Sequence, residues 1–309
     1  MQKFNQLGYS ITSMNKKIFT LFCLLVSLLL LGSCQREEAV PKKSTVLISI
    51  APYAYFVDKI SEGTVQIECL VPEGANPHIY EPTPKAVERA QDAKLWLRLG
   101  ESFDKKIDAV LKKHNPTMHV VNLTQGIELL SVCEEESLGE ETHHCHEHGD
   151  EGKDIHIWLS PKLAKKQARA IAAGLIAIDP ENEPLYTIGL KTCLSELDLL
   201  DQEITELLLP KKGSAILVSH PAFGYFCQDY DLIQFSVEME GKDPLPQHIT
   251  ELLNQAKAYQ ITAVLLQPQY SNKGAELIAQ ELHLPTTTID PYATNYIENL
   301  HYIAEIIAR

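Results

Sequence analysis

Four residues of this chain combine a metal-ligating side chain with a place where ligands gather in α/β proteins. His78 closes Gly74-Ala75-Asn76-Pro77-His78, and His156 opens His156-Ile157-Trp158-Leu159-Ser160-Pro161. His220 lies in Ser219-His220-Pro221-Ala222-Phe223-Gly224-Tyr225, and Asp290 in Ile289-Asp290-Pro291-Tyr292. Three imidazoles and a carboxylate are the donors that hold Zn²⁺ in a four-coordinate site. Singly, each has an ordinary reading: a strand-end histidine is more often a hydrogen-bonded turn residue, and aspartate before proline is a turn former. The combination carries the argument, because two come from each half of the chain and all four could meet in one cleft.

A second concentration of donors fills 134–154, where His143, His144, Cys145, His146 and His148 sit among acidic residues that include Glu134, Glu147 and Asp150. Such a stretch cannot pack a core and reads as a weaker metal-binding loop. The bland alternative is a solvated acidic loop. Hydrolytic chemistry has no support, since there is no HExxH helix, no GxSxG elbow and no Walker A loop. Trp158, Phe223, Tyr53 and Tyr55 are read as packing and shielding residues.

The elements that must position these groups alternate from end to end. Runs at 46–50, 65–71, 95–99 and 119–123 read as strands, separated by helical patterns at 53–61, 84–92 and 103–113. The series returns with strands at 215–219, 232–237, 263–267 and 287–289 and helices that include 247–259 and 273–282. A βαβα order implies parallel sheets with helices on their faces. In such sheets ligands bind beyond the carboxyl ends of the strands, where His78, His220 and Asp290 fall. Between the halves lies a helical block, 161–209, broken at Asp179-Pro180. Cys193, Leu197, Leu200, Ile204 and Leu207 recur there at spacings of four and three, which predicts one amphipathic helix over 181–209, a strut joining two lobes.

Lys16 and Lys17 precede an apolar run, 18–31, that ends in Gly32-Ser33-Cys34. This is the layout of a secretory signal over 1–33, and the run is too short to span a bilayer. Leu31-Gly32-Ser33-Cys34 resembles the bacterial lipobox, which implies a lipid on Cys34 and a membrane anchor through a tether at 34–43. Loss of 1–33 moves the net charge from −14 to −17, a poor surface for nucleic acid. Cys69, Cys133, Cys145, Cys193 and Cys227 remain, an odd number without a CxxC pair, so any disulfide pairing is unreadable.

The four ordered segments, with the acidic stretch 238–244, resemble the cluster A-I solute-binding proteins, the ZnuA and TroA family of zinc and manganese importers. The resemblance spans nearly the whole chain after the signal. It implies two α/β lobes, 44–180 and 210–309, each a parallel sheet flanked by helices and joined by a rigid helix, with metal in the cleft on His78, His156, His220 and Asp290. It further implies a monomer that is not an enzyme and serves an ABC permease and ATPase outside the cytoplasm. Manganese members usually carry a second carboxylate where His220 stands, so three imidazoles favour Zn²⁺ over Mn²⁺. Zinc members often read Glu-Pro-Gln-Phe where this chain has Gln267-Pro268-Gln269-Tyr270, which weakens any role for a glutamate there. A manganese importer component or a metal-dependent adhesin of the same fold is the competing expectation.

Overall fold

The computed structural model describes residues 43–131, 152–238 and 245–309. The signal segment, Cys34, Cys133, the loop donors His143, His144, Cys145, His146 and His148, and residues 239–244 of the acidic stretch lie outside the described residues.

All eight strands expected from the sequence form. In the first half β1 (Thr45–Ile48), α1 (Tyr53–Ser61), β2 (Gln66–Cys69), α2 (Pro84–Ala90), β3 (Leu95–Arg98), α3 (Ser102–His114) and β4 (His119–Asn122) follow one another. Their strands make a parallel sheet in the order β2-β1-β3-β4. In the second half β5 (Ala215–Val218), β6 (Ile233–Ser236), β7 (Ile261–Leu266) and β8 (Thr286–Thr288) repeat the arrangement as β6-β5-β7-β8. Each sheet therefore reverses its direction of growth once, between β1 and β3 and between β5 and β7, and a crevice opens at such a switch point.

The central strands are near-continuous apolar runs because both faces of each sheet are covered. In the second sheet Ile216, Val218, Ala263 and Leu265 join the main core, whereas Leu217, Val264 and Leu266 face a smaller cluster with Ala275, Ile278 and Ala279. The latter three lie on α8 (Lys273–Leu282); α6 (Gly224–Tyr230) and α7 (Pro246–Ala256) precede it in the same half.

Two helices lie between the two sheets in sequence, α4 (Pro161–Ile178) and α5 (Glu183–Leu208), separated by a single turn at Pro180–Asn182. Both begin where the sequence places a starter: Ser160 Oγ accepts the Leu163 N–H at 3.1 Å ahead of Pro161, and Pro184 occupies the first turn of α5. α5 spans about 39 Å at 1.5 Å per residue. Its apolar stripe is Tyr186, Gly189, Cys193, Leu197, Leu200, Ile204 and Leu208, all buried, with Leu207 only half-buried because the stripe continues four residues after Ile204. At Gly189 the backbone of α5 touches that of α1, since a Cβ there would lie 2.4 Å from the Ile60 carbonyl oxygen. The last helix, α9 (Tyr296–Ala308), crosses back to the first half: Tyr296 stacks on Tyr55 at 5.5 Å and meets Phe56 edge-on at 4.8 Å. Cys69, Cys193 and Cys227 are free thiols. Among the described residues no helix is long and apolar enough to cross a membrane.

Candidate metal centre

Each histidine is delivered by its own local device. The turn after β2 needs a left-handed residue, supplied by Gly74 at φ +76°. Asn76 Oδ1 then accepts the His78 N–H at 2.9 Å and caps the single turn Pro77–Ile79. His156 begins the turn Ile157–Leu159, whose Trp158 is fully buried and donates its indole N–H to the Pro291 carbonyl at 2.9 Å. His220 follows β5, and its backbone N–H donates to Gln267 Oε1 at 2.6 Å across the switch point of the second sheet. Gln267 thus holds the His220 main chain and is fully buried.

These devices bring three side chains from segments up to 142 residues apart to one point. The Nε2 atoms form a nearly equilateral triangle: 3.2 Å from His78 to His156, 3.1 Å from His78 to His220 and 3.2 Å from His220 to His156. Nitrogens bound at 2.0–2.1 Å in tetrahedral geometry stand about 3.3 Å apart, so the triangle matches three corners of a zinc tetrahedron. Among the described residues, these three are the group of His, Cys, Asp and Glu whose ligating atoms all lie within 4.8 Å of one another. His156 and His220 are buried and His78 is half-buried.

Behind every ring stands a carboxylate. Glu101 Oε2 lies 3.1 Å from His78 Nδ1, Asp154 Oδ1 2.7 Å from His156 Nδ1, and Glu238 Oε2 3.2 Å from His220 Nδ1. A carboxylate at Nδ1 keeps the proton there and turns Nε2 into a lone pair directed at the shared centre, the usual arrangement behind metal-bound histidine. The third pairing differs. Glu238 is within ion-pair distance, yet His220 Nδ1 makes no hydrogen bond among the described residues. Three converging lone pairs repel one another and attract a cation. Burial lowers the His78 pKa, but the hydrogen bond and charge of Glu101, with Glu238 and Asp154 beyond, outweigh it and leave the ring above its ordinary value. His220 sits far below the imidazole range through burial and the neighbouring His156 and His78.

Asp290 is placed differently. Its Oδ1 accepts the Gln269 Nε2–H and the Tyr292 N–H, each at 2.8 Å, and the carboxylate stands outside the three-imidazole group. It lines a cavity together with Gly74, Ala75 and Pro77 of the loop that carries His78. Tyr53 and Tyr55 are packing residues, their hydroxyls bonded to Gln167 and Glu196. Phe223 is buried in the core. Sequence reasoning misses Glu101 as a partner of His78, although Glu101 follows β3 closely and so has the same kind of strand-end position as His78 and His220. Glu238 entered only as the start of an acidic stretch. Tyr270, whose ring lies parallel to His220, gave no signal beyond its departure from phenylalanine.

A family model described as ZnuA, zinc-uptake complex component A, periplasmic, matches residues 46–309. A protein of Chlamydia trachomatis serovar D, named for metal binding, is 30% identical over 291 residues, covering 93% of this chain and 98% of that protein. High-affinity zinc uptake system protein ZnuA of Bacillus subtilis is 28% identical over 286 residues, covering 90% and 89% respectively. Among solved structures, a ZnuA deletion mutant with zinc bound aligns with a TM-score of 0.75 and 34% identity, covering 86% of this chain and 97% of that one.

Proposed function

The chain belongs to the ZnuA zinc-uptake family, and we propose that it captures Zn²⁺ outside the cytoplasm and hands it to an ABC importer made of a permease and an ATPase. The observation that carries this reading is the triangle of Nε2 atoms, each ring backed by a carboxylate. Zinc here is cargo: the site's task is to hold the ion and release it, with no bond made or broken in a substrate.

His78, His156 and His220 supply three ligands in this proposal and Asp290 the fourth. The cavity shared by Asp290 and the His78 loop supports the fourth assignment. Residues 44–180 and 210–309 act as the two lobes, with 181–209 as the strut and α9 returning from the second lobe to the first. Cys34 carries the lipid that holds the monomer at the membrane after 1–33 is removed. His143, His144, Cys145, His146 and His148 form a weaker, secondary site.

Elemental analysis of the chain purified without added metal, followed by competition between Zn²⁺ and Mn²⁺, tests the proposal. One equivalent of zinc that manganese fails to displace is expected. A site that prefers manganese, or holds no divalent ion, overturns it.

A further inference from the structure

We infer that Tyr270 is a positioning residue for the metal site, its ring setting the orientation of His220 and its hydroxyl tying that orientation to Tyr292. The inference rests on the metal-binding reading of the three imidazoles.

The starting point is an asymmetry among the ligands. His78 and His156 each have Nδ1 hydrogen-bonded to a carboxylate oxygen, which fixes the rotation of the ring about its bond to the chain. His220 has a carboxylate at 3.2 Å but no aligned hydrogen bond among the described residues, so another contact must set its rotation. Tyr270 provides one. Its ring lies on the His220 ring with centroids 4.0 Å apart and planes 1° from parallel, and it also stands 6.2 Å from the His78 ring. Offset stacking at this distance restricts the imidazole to one plane, which is the degree of freedom the missing hydrogen bond leaves open.

Tyr270 is itself anchored. Its hydroxyl and that of Tyr292 are hydrogen-bonded at 2.8 Å. The Tyr292 ring packs at 5.3 Å on Trp158, and the Trp158 ring lies 5.2 Å from His156. A continuous aromatic path, His220–Tyr270–Tyr292–Trp158–His156, therefore links a ligand of the second half to one of the first without passing through the centre. A phenylalanine at 270 preserves the stack and severs the path at the hydroxyl. A leucine removes both.

The test uses the full chain, with Co²⁺ as a spectroscopic probe and zinc dissociation measured by chelator trapping. Tyr270→Leu is expected to weaken the visible bands of four-coordinate cobalt and to release zinc about tenfold faster, the size of effect expected when an outer partner of a ligand is lost. Tyr270→Phe and Tyr292→Phe should keep the bands and each speed release about threefold, as loss of one hydrogen bond predicts. The double variant should do no more than either single, because both remove the same bond. If Tyr270→Leu does not fold, the two phenylalanine variants and their combination decide alone. Stability losses with unchanged cobalt bands and unchanged release rates in all variants would show Tyr270 to be ordinary packing and overturn the inference. Failure of the wild-type chain to bind cobalt or zinc would instead overturn the metal-binding reading beneath it.

Discussion

Asp154 holds His156 twice, accepting the residue's own backbone N–H at 2.8 Å and facing its ring Nδ1 at 2.7 Å, both through Oδ1. One carboxylate oxygen thus fixes where the ligand starts, which way its ring turns and which nitrogen keeps the proton. Gly224 makes room for the other oxygen, since a Cβ at that position would come within 2.9 Å of Asp154 Oδ2.

Asp154→Ala is expected to weaken zinc binding by about 10–100-fold while leaving the circular dichroism spectrum unchanged. Competition with a chromophoric chelator measures it. An unchanged affinity would mean that Trp158 packing alone holds His156 in place.

Zinc affinity should fall as the medium is acidified, because imidazoles bind metal only when neutral. His78 is held above the ordinary imidazole value, so protons compete from a higher pH than a free ring with pKa about 6.5 would allow. Glu101→Gln removes the charge that raises it and should move the fall in affinity to lower pH, measured by chelator competition between pH 5.5 and 8. A pH profile identical in the variant would contradict the assigned role of Glu101. In the metal-free protein the two shifted rings act oppositely on folding. His78, raised, adds stability below its unfolded pKa that is lost as pH rises through the folded one. His220, depressed, takes up a proton first in the unfolded chain, so its contribution falls as pH drops below about 6.5.

The architecture was legible in the sequence because parallel strands buried on both faces must be apolar and must be separated by helices. The three histidines were legible for a related reason, as strand ends and helix starts are where such a fold exposes polar groups. What stayed hidden depends on distant segments meeting. Glu101 and His78 follow different strands, and the pairing of β1 with both β2 and β3 is what sets them side by side. Tyr296 belongs in sequence to the second half, yet its ring lies against Tyr55 and its hydroxyl donates to the Trp158 carbonyl at 2.5 Å. No local pattern announces that return. The turn at Asp290 is legible in the sequence, but a turn does not say which way its carboxylate faces.

Gly189→Ala should destabilise the fold. The added methyl meets the Ile60 main chain, with the carbonyl oxygen at 2.4 Å and Cα at 2.8 Å, and neither can move aside as a flexible side chain would. Overpacking of this kind costs about 1–3 kcal/mol, against about 1 kcal/mol that alanine returns as the better helix former. Thermal unfolding should show a melting temperature lower by a few degrees; an equal or higher value would mean that α1 and α5 separate freely.

Removal of 134–152 with a short Gly-Ser linker should leave a folded protein with one tight zinc. Ser131 and Lys153 pair as an antiparallel bridge, and the Asp154 N–H donates to the Leu130 carbonyl at 2.8 Å, so the two ends already stand a strand spacing apart. Calorimetry should lose only the weaker binding events. Loss of the tight site with the fold intact would put a primary ligand among His143, His144, Cys145, His146 and His148.

Zinc titration of the wild-type chain beside His78→Ala, His156→Ala and His220→Ala tests the central claim most directly. One equivalent bound tightly by wild type, with each alanine variant at least about tenfold weaker, or about 1.4 kcal/mol, is the predicted result. Three variants that bind one zinc as tightly as wild type would contradict the three-imidazole site.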